Sequence, residues 1–167
     1  TIEKDSLYIA QKGLRVDGHK FISQAIEKGA KAIICELIPK ELGKNIVYVL
    51  VKNTAKTLGI IASNFYDNPS QKIKLVGITG TNGKTSIASL LFELFIKQGC
   101  DCGLFSTVKI QYGDKIYNNS FTTPDALSLN MHLNNMLKFG ITHCFMEVSS
   151  HGINQYRTEG LTFSGGV

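Results

Sequence analysis

The segment Gly77-Ile78-Thr79-Gly80-Thr81-Asn82-Gly83-Lys84-Thr85 decides the fold of this chain. It overlaps the end of Lys74–Thr79, an apolar run that predicts a strand, and it leads into a predicted helix that begins near Lys84 and ends at Gly99. Apolar residues recur along that helix at helical spacing and predict its buried face: Ile87, Leu90, Leu91, Leu94 and Phe95. A strand, a glycine-rich loop and an amphipathic helix in this order indicate a phosphate-binding loop in an α/β fold.

The residues of this loop suit a nucleotide polyphosphate. Glycines let backbone N–H groups approach an anion closely, and the first N–H groups of a helix have no partner within the helix. Lys84 adds a full positive charge for the outer phosphates, and the Thr85 hydroxyl is placed to bind the Mg²⁺ that bridges them. The strict motif GxxxxGK[ST] requires glycine at position 78, where this chain has isoleucine. A glycine-rich turn before an ordinary helix lysine is therefore the alternative interpretation.

The chain beyond the loop also alternates strands and helices. Leu104–Thr107 predicts a strand, Lys109–Tyr117 a hairpin, and Thr142–Val148 a further strand. A helix is predicted from about Pro124 to Gly140, with four apolar residues on one face: Leu129, Leu133, Met136 and Leu137. This pattern favours a largely parallel sheet with helices packed on it.

Glu147 stands at the end of the last of these predicted strands. Because the carboxyl ends of parallel strands meet at one edge of a sheet, Glu147 could reach the same metal ion as Thr85. A solvent-exposed glutamate at the end of a strand is the alternative.

The first part of the chain predicts a second α/β segment. Three strands are expected, at Ser6–Ala10, Ala32–Cys35 and Ile46–Leu50. Two helices are expected from apolar residues at helical spacing, the first ending at Gly29: Phe21, Ile22, Ala25 and Ile26, then Thr54, Leu58, Ile61, Ala62 and Phe65. The polar, turn-rich stretch Tyr66–Lys72 is the predicted domain boundary.

Composition limits the possible functions. With 43% hydrophobic and 19% charged residues among 167, the chain is predicted to be globular, and no apolar run approaches the roughly 20 residues that span a bilayer. The formal charge of +5 is spread without a basic block, which argues against nucleic-acid binding. The four cysteines lack zinc-ligand spacing and are expected to be reduced thiols in a cytoplasmic protein. No signal peptide or membrane association is expected, and both ends of the chain resemble the interior of a domain.

Residues Val76–Thr85 resemble the ATP loop of the Mur ligases, which have the same shifted glycine spacing. Three further stretches, Asp17–Ile22, Thr122–Asp125 and Met146–Gly152, resemble the group of this family that adds the third peptide residue, diaminopimelate or lysine, to UDP-N-acetylmuramoyl-L-alanyl-D-glutamate. The resemblance implies an α/β fold in which a small N-terminal UDP-binding domain, residues 1–69, precedes the first part of a parallel-sheet P-loop ATPase domain, residues 70–167. It also implies that family segments precede Thr1 and come after Val167.

The resemblance assigns roles to individual residues. Lys84 and Glu147 are the implied catalytic residues, and Thr85 and Glu147 the implied Mg²⁺ ligands. The implied ATP site comprises Gly80, Thr81, Asn82, Gly83, Lys84, Thr85 and Ser86. The implied site for the UDP-muramoyl dipeptide comprises Leu14, Arg15, Val16, Thr122, Thr123, Ser149, Gln155 and Arg157. No role is assigned to His151, and a surface arginine is the alternative for Arg157.

The implied activity is ATP-dependent amide-bond formation through an acyl phosphate, with ATP and Mg²⁺ as cofactors. Its partners are small-molecule substrates, the UDP-N-acetylmuramoyl dipeptide and a diamino acid, and the protein is expected to be a monomer that is inactive as this segment alone. Two alternatives stay open: another Mur or folylpolyglutamate-type ligase, and a P-loop switch or kinase-like module. The sequence leaves the choice between diaminopimelate and lysine undecided.

Overall fold

The computed structural model describes residues 2–13, 16–119 and 121–167. The chain divides into two compact units, an N-terminal unit of residues 1–58 and a C-terminal unit of residues 59–167. The division lies within a helix, α2 (Thr54–Phe65), whereas the sequence places the domain boundary later, in Tyr66–Lys72. The domain ranges 1–69 and 70–167 stay predictions.

The N-terminal unit is built on a three-stranded parallel sheet. Its strands β1 (Leu7–Ile9), β2 (Ala32–Cys35) and β3 (Val47–Leu50) lie in the order β1-β2-β3. A 3₁₀ helix at Gly18–Phe21 leads directly into helix α1 (Ile22–Glu27). The core combines apolar residues of α1 and β2 with two alanines outside these elements: Ile22, Ala25, Ile33 and Cys35, then Ala10 and Ala30. The predicted strands and helices of this segment are confirmed to within a few residues.

The C-terminal unit contains a six-stranded sheet in the order β7-β6-β5-β8-β4-β9. Strands β4, β5, β8 and β9 are parallel, and the hairpin β6–β7 extends the sheet in the antiparallel sense. The strands span Lys74–Ile78 (β4), Cys102–Phe105 (β5), Lys109–Tyr112 (β6), Lys115–Asn118 (β7), His143–Glu147 (β8) and Gly165–Gly166 (β9). The helices are a 3₁₀ turn at Pro69–Gln71, α3 (Lys84–Lys97), α4 (Ala126–Lys138) and α5 (Ser150–Asn154). The short elements α5 and β9 have no counterpart among the sequence predictions.

The sheet of the C-terminal unit is covered on both faces. Successive side chains of a strand point to opposite faces, so neighbours in β4, β5 and β8 enter different cores. One core packs under α4 and includes Leu75, Phe105, Met146 and the α4 residues Leu129, Leu133 and Met136. The other packs under α3 and includes Ile78, Leu104, Phe145 and the α3 residues Ala88 and Phe92. The α/β class predicted from the sequence is confirmed, and so is the buried face predicted for α4.

The buried face predicted for α3 is confirmed for Leu91 and Phe95 and wrong for the other three residues. Leu90 and Leu94 are 68% and 49% exposed, and Ile87 is also exposed. The helix instead buries Ala88 and Phe92, with Leu91 and Phe95 packed beside them. Apolar residues occupy most of the circumference of α3, so their periodicity fits two overlapping stripes. The stripe that contains Ala88 faces the sheet, because its small side chain lets the helix axis approach the strands closely.

All four cysteines are free thiols. Cys35, Cys102 and Cys144 are buried and Cys100 is half-buried, in agreement with the prediction of reduced thiols. Among the described residues, no helix is both long enough and apolar enough to cross a membrane.

Candidate active site

The loop between β4 and α3 is shaped by two glycines with positive φ. Gly80 has φ 140° and Gly83, the N-cap of α3, has φ 81°. An added Cβ would have room at both positions, with the nearest atoms 3.5 Å and 4.0 Å away. The glycines are therefore required by their backbone angles rather than by crowding. Since α3 begins at Lys84, its unpaired N–H groups and positive dipole end face this loop.

Gly77, the first glycine of the motif, lies in β4 and serves packing. An added Cβ there would lie 3.0 Å and 3.1 Å from atoms of the Phe163 ring. Its neighbour across the sheet is Gly166 in β9. Of these three glycines, Gly77 is therefore needed for packing, and Gly80 and Gly83 are needed for the backbone angles of the loop.

Lys84 folds back over the loop. Its Nζ donates to the carbonyl oxygen of Gly80 at 2.6 Å and lies 3.4 Å from that of Thr81. These contacts hold the ammonium group against the loop, and Lys84 also lines the cleft in front of it. An anion bound there would meet a positive charge already in place.

An open cleft of about 250 Å³ lies in front of the loop. Phosphate-loop residues line one side, and residues from three other segments line the rest: Thr81, Asn82, Gly83, Lys84, Thr85 and Ser86, then Thr107, Thr122 and Glu147. The parallel pairing of β4 with β8, which places Ile78 opposite Glu147, brings Glu147 into this cleft. The structure therefore brings together six of the seven predicted ATP-site residues, both predicted metal ligands and one predicted substrate residue.

Glu147 is a buried carboxylate, only 1% exposed, and not a solvent-exposed strand end. Its Oε1 accepts from the backbone N–H of Thr107 at 2.7 Å, and its Oε2 lies 3.1 Å from the Thr107 hydroxyl. In the part of the chain that the structure describes, no lysine, arginine or histidine forms an ion pair with it. Burial of an ionised carboxylate without a cation is costly, so this site is suited to a bound cation.

The donor set fits Mg²⁺ in particular. Glu147 and the Thr85 hydroxyl line the same cleft and offer only oxygen ligands. Mg²⁺ prefers oxygen, keeps several waters and commonly takes one or two protein ligands together with substrate phosphates. The residues present can therefore hold this ion beside a nucleotide.

The predicted substrate residues Thr123 and Ser149 form a hydrogen-bonded cluster with Arg157 and Gln155, behind the cleft. Thr123 is 1% exposed; its hydroxyl donates to the Glu147 carbonyl at 3.2 Å and accepts from the Ser149 N–H at 3.0 Å. The Ser149 hydroxyl accepts from the N–H of Gly152 at 3.0 Å and caps α5. The hydroxyls of Thr123 and Ser149 are thus engaged in internal contacts.

Arg157 is held in a fixed orientation by the same cluster. Its Nη1 donates to the Thr123 carbonyl at 2.5 Å, and its Nε and Nη2 donate to Gln155 Oε1 at 3.0 Å and 2.7 Å. The guanidinium also lies 4.8 Å from the centre of the Phe121 ring. Arg157 is therefore a half-buried, oriented cation and not a mobile surface arginine.

The predicted substrate residues of the N-terminal unit are less defined. Leu14 and Arg15 lie outside the described residues, and Val16 is 53% exposed. The neighbouring Asp17 and His19 are joined at 2.7 Å between Oδ1 and Nδ1, and His19 Nε2 accepts from the Glu36 N–H at 2.8 Å. Since Nε2 accepts, the ring proton of His19 is on Nδ1 and faces Asp17.

Sequence reasoning missed Thr107 and Phe121. The sequence places Thr107 inside a strand, whereas β5 ends at Phe105 and Thr107 lies beyond its carboxyl end. The carboxyl ends of parallel strands meet at one edge of the sheet, and this rule, which predicted the place of Glu147, applies equally to Thr107. It is the sequence signal that could have identified Thr107. Phe121 precedes the Thr-Thr-Pro-Asp stretch, and nothing in its residue type marks it.

Comparisons with known proteins agree with this geometry. The chain matches the Mur ligase middle domain over residues 78–167 and the Mur ligase family catalytic domain over residues 1–66. It is 53% identical over 167 residues to a UDP-N-acetylmuramoyl-L-alanyl-D-glutamate–2,6-diaminopimelate ligase of Cytophaga hutchinsonii, and 42% identical to the Clostridioides difficile protein of the same name. Each match covers 99% of this chain and 34% of the relative, so the chain spans about a third of the length of these relatives.

Solved structures give the same result. The structure of a UDP-N-acetylmuramoyl-L-alanyl-D-glutamate–2,6-diaminopimelate ligase aligns with a TM-score of 0.78 at 26% identity, over 98% of this chain and 33% of that one. The Thermotoga maritima MurF ligase in complex with ADP aligns with a TM-score of 0.56 at 26% identity, over 89% of this chain and 30% of that one. With its two family domains, its close relatives and its fold in agreement, this chain belongs to the Mur ligase family.

Proposed function

We propose that this chain belongs to an ATP-dependent ligase that joins diaminopimelate to UDP-N-acetylmuramoyl-L-alanyl-D-glutamate. The cleft that unites the phosphate loop with the buried Glu147 carries this proposal. The named activity of the relatives, at 42% and 53% identity, supports diaminopimelate over lysine as the added amino acid. The structural match to such a ligase, with a TM-score of 0.78 against 0.56 for the MurF ligase, supports the choice within the family.

In this proposal the phosphate loop binds the triphosphate of ATP. Amide groups at the start of α3 and the Lys84 ammonium offset the charge of the phosphates while a substrate carboxylate oxygen attacks the terminal phosphorus. ADP leaves, and the amine of the incoming amino acid then displaces phosphate from the carbonyl carbon to form the amide. Thr85 and Glu147 would hold Mg²⁺, which supplies neutralisation of the phosphate oxygens when bound.

The cluster around Arg157 is assigned to the UDP-muramoyl dipeptide. A guanidinium already oriented by Gln155 and Thr123 offers planar donors to an anionic group without further ordering. Thr122, which lines the cleft, would lie nearest the reacting end of the substrate. The uridine contacts of Leu14, Arg15 and Val16, the cytoplasmic location and the monomeric state stay predictions.

The test is an assay of ADP release. It uses a protein that contains this chain and has the full length of the relatives. UDP-N-acetylmuramoyl-L-alanyl-D-glutamate is supplied with diaminopimelate or with lysine in separate reactions, and D-alanyl-D-alanine is supplied in a third reaction with the precursor that already carries diaminopimelate. We expect release with diaminopimelate and its loss in Lys84→Ala. Release with D-alanyl-D-alanine alone would reassign the chain within the family, and release with lysine alone would correct the amino acid.

A further inference from the structure

Thr107 makes two hydrogen bonds to the same carboxylate. Its backbone N–H donates to Glu147 Oε1 at 2.7 Å, and its hydroxyl lies 3.1 Å from Glu147 Oε2. Each carboxylate oxygen has two lone pairs, so these bonds occupy one site on each oxygen and leave one free on each. The carboxylate is thereby fixed in rotation about its last side-chain bond.

The Thr107 hydroxyl also lies 3.1 Å from the hydroxyl of Thr122. A hydroxyl has a single proton, and an ionised carboxylate has none to give. The Thr107 hydroxyl is placed as the donor to both partners, so its one proton is shared between Thr122 and Glu147. The backbone N–H of Thr107 has no such competitor and holds the carboxylate at its other oxygen.

The loop that carries Thr107 is itself built rigidly. The backbone N–H of Ser106 donates to the Lys109 carbonyl at 2.9 Å, and the Lys109 N–H donates to the Ser106 hydroxyl at 3.1 Å. Asn119 Nδ2 donates to the Ser106 carbonyl at 2.6 Å. Ser106 is 1% exposed, whereas Thr107 is exposed to the cleft. These bonds fix the turn, and the turn directs the Thr107 N–H at Glu147.

We propose that Thr107 is a positioning residue for metal binding, which holds Glu147 in the orientation that Mg²⁺ requires. This inference rests on the metal site in the proposed function. Ligating carboxylates depend on the groups that hydrogen-bond them, and loss of such a group commonly weakens metal affinity about 10- to 100-fold. Thr107 acts through Glu147 and is not itself a metal ligand in this proposal.

The test measures Mg²⁺ dependence of nucleotide binding and requires no turnover. Binding of a non-hydrolysable ATP analogue is titrated by calorimetry at a series of Mg²⁺ concentrations, with the protein at the length of its relatives. Thr107→Val removes the hydroxyl and keeps the shape and the backbone N–H. We expect the Mg²⁺ concentration at half-saturation to rise about 10-fold in Thr107→Val, and to stay within about twofold of the unsubstituted protein in Thr107→Ser.

A double-mutant cycle separates positioning from a general structural effect. In a Glu147→Gln background we expect Thr107→Val to change the Mg²⁺ dependence by less than about twofold, because the carboxylate that it orients is gone. Thr142→Val, just before the start of β8 and so at the opposite end from Glu147, is the matched control and should behave as the unsubstituted protein. Thr107→Ala replaces Thr107→Val if the valine variant does not fold.

Four results would overturn the proposal. Three concern the variants: an unchanged Mg²⁺ dependence in Thr107→Val, a serine variant that behaves like the valine variant, and an undiminished effect in the Glu147→Gln background. The fourth is nucleotide binding that is independent of Mg²⁺ in the unsubstituted protein. Ligase activity is measured separately, so an inactive protein that still shows the Thr107 effect refutes the proposed reaction and not the positioning role.

Discussion

The phosphate loop lines the cleft and the cluster around Thr123 does not, and the two regions are made rigid in different ways. The loop takes its shape from backbone angles at Gly80 and Gly83, and residues 81–86 line the cleft. The cluster takes its shape from side-chain hydrogen bonds among Thr123, Ser149 and Arg157. We therefore expect side-chain substitutions in the loop to lower activity, and side-chain substitutions in the cluster to lower the free energy of unfolding.

The largest effect should come from Lys84→Ala. Removal of one preorganised donor to a developing charge commonly costs about 10²- to 10³-fold in turnover, and here a full charge is lost with it. Binding of the UDP-muramoyl dipeptide and the melting temperature should change little, because the hydrogen bond from Lys84 to Gly80 is solvent-exposed and water can replace it. Steady-state ADP release and calorimetry check both points, and Lys97→Ala, at the far end of α3, is the control. An equal loss of dipeptide affinity would contradict this division of roles.

Thr123→Val should destabilise the protein, whereas Thr122→Val should not. The Thr123 hydroxyl is buried and satisfies both the Glu147 carbonyl and the Ser149 N–H, so its loss leaves buried groups unpaired at a cost of about 1–3 kcal/mol. Thr122 lines the open cleft, where water can replace its hydroxyl. Denaturant unfolding of both variants measures the difference. Equal free energies of unfolding would show that the cluster is not held by this hydroxyl.

A pair of glycine substitutions tests the two kinds of rigidity directly. Gly83→Ala meets open space but requires a left-handed backbone, which costs about 1–2 kcal/mol. Gly152→Ala places a Cβ 2.8–2.9 Å from three atoms of the Thr123 side chain, so overpacking of about 1–3 kcal/mol is expected. Shortening Thr123 in Thr123→Ser removes one of those atoms, Cγ2, and should relieve part of the loss in Gly152→Ala but none of the loss in Gly83→Ala. If Thr123→Ser relieved the loss of stability in both glycine variants, the loop and the cluster would not be rigid for different reasons.

The smallest effect concerns Glu36 in the N-terminal unit. Hydrogen bonds from the backbone N–H and hydroxyl of Thr54 lower the pKa of the Glu36 carboxyl. A lowered folded-state pKa gives stability that is present above the unfolded pKa and is lost as the pH falls through the folded value. Because Glu36 is half-exposed, at most about 1 kcal/mol is expected. Unfolding at pH 7 and pH 3 should show a smaller pH dependence in Glu36→Gln than in the unsubstituted protein.

Features that depend on local pattern could be predicted from the sequence. The phosphate loop, the α4 face and the position of Glu147 at the end of β8 result from glycine placement, periodicity and the geometry of parallel sheets. The α3 face was not predictable, because a helix that is apolar nearly all round does not show which stripe meets the sheet. The bonds between Thr107 and Glu147, 40 residues apart, depend on the pairing of β5 with β8, which no local pattern encodes.

The strand order has a consequence for how the molecule folds. β8 lies between β5 and β4, both of which precede it in the chain. Until residues 143–147 are available, β4 and β5 lack the strand that joins them, and neither core under α3 or α4 can close. The same strand carries Glu147. Closure of the sheet and placement of the acidic group at the phosphate loop therefore depend on the same strand, whose partners are distant in sequence.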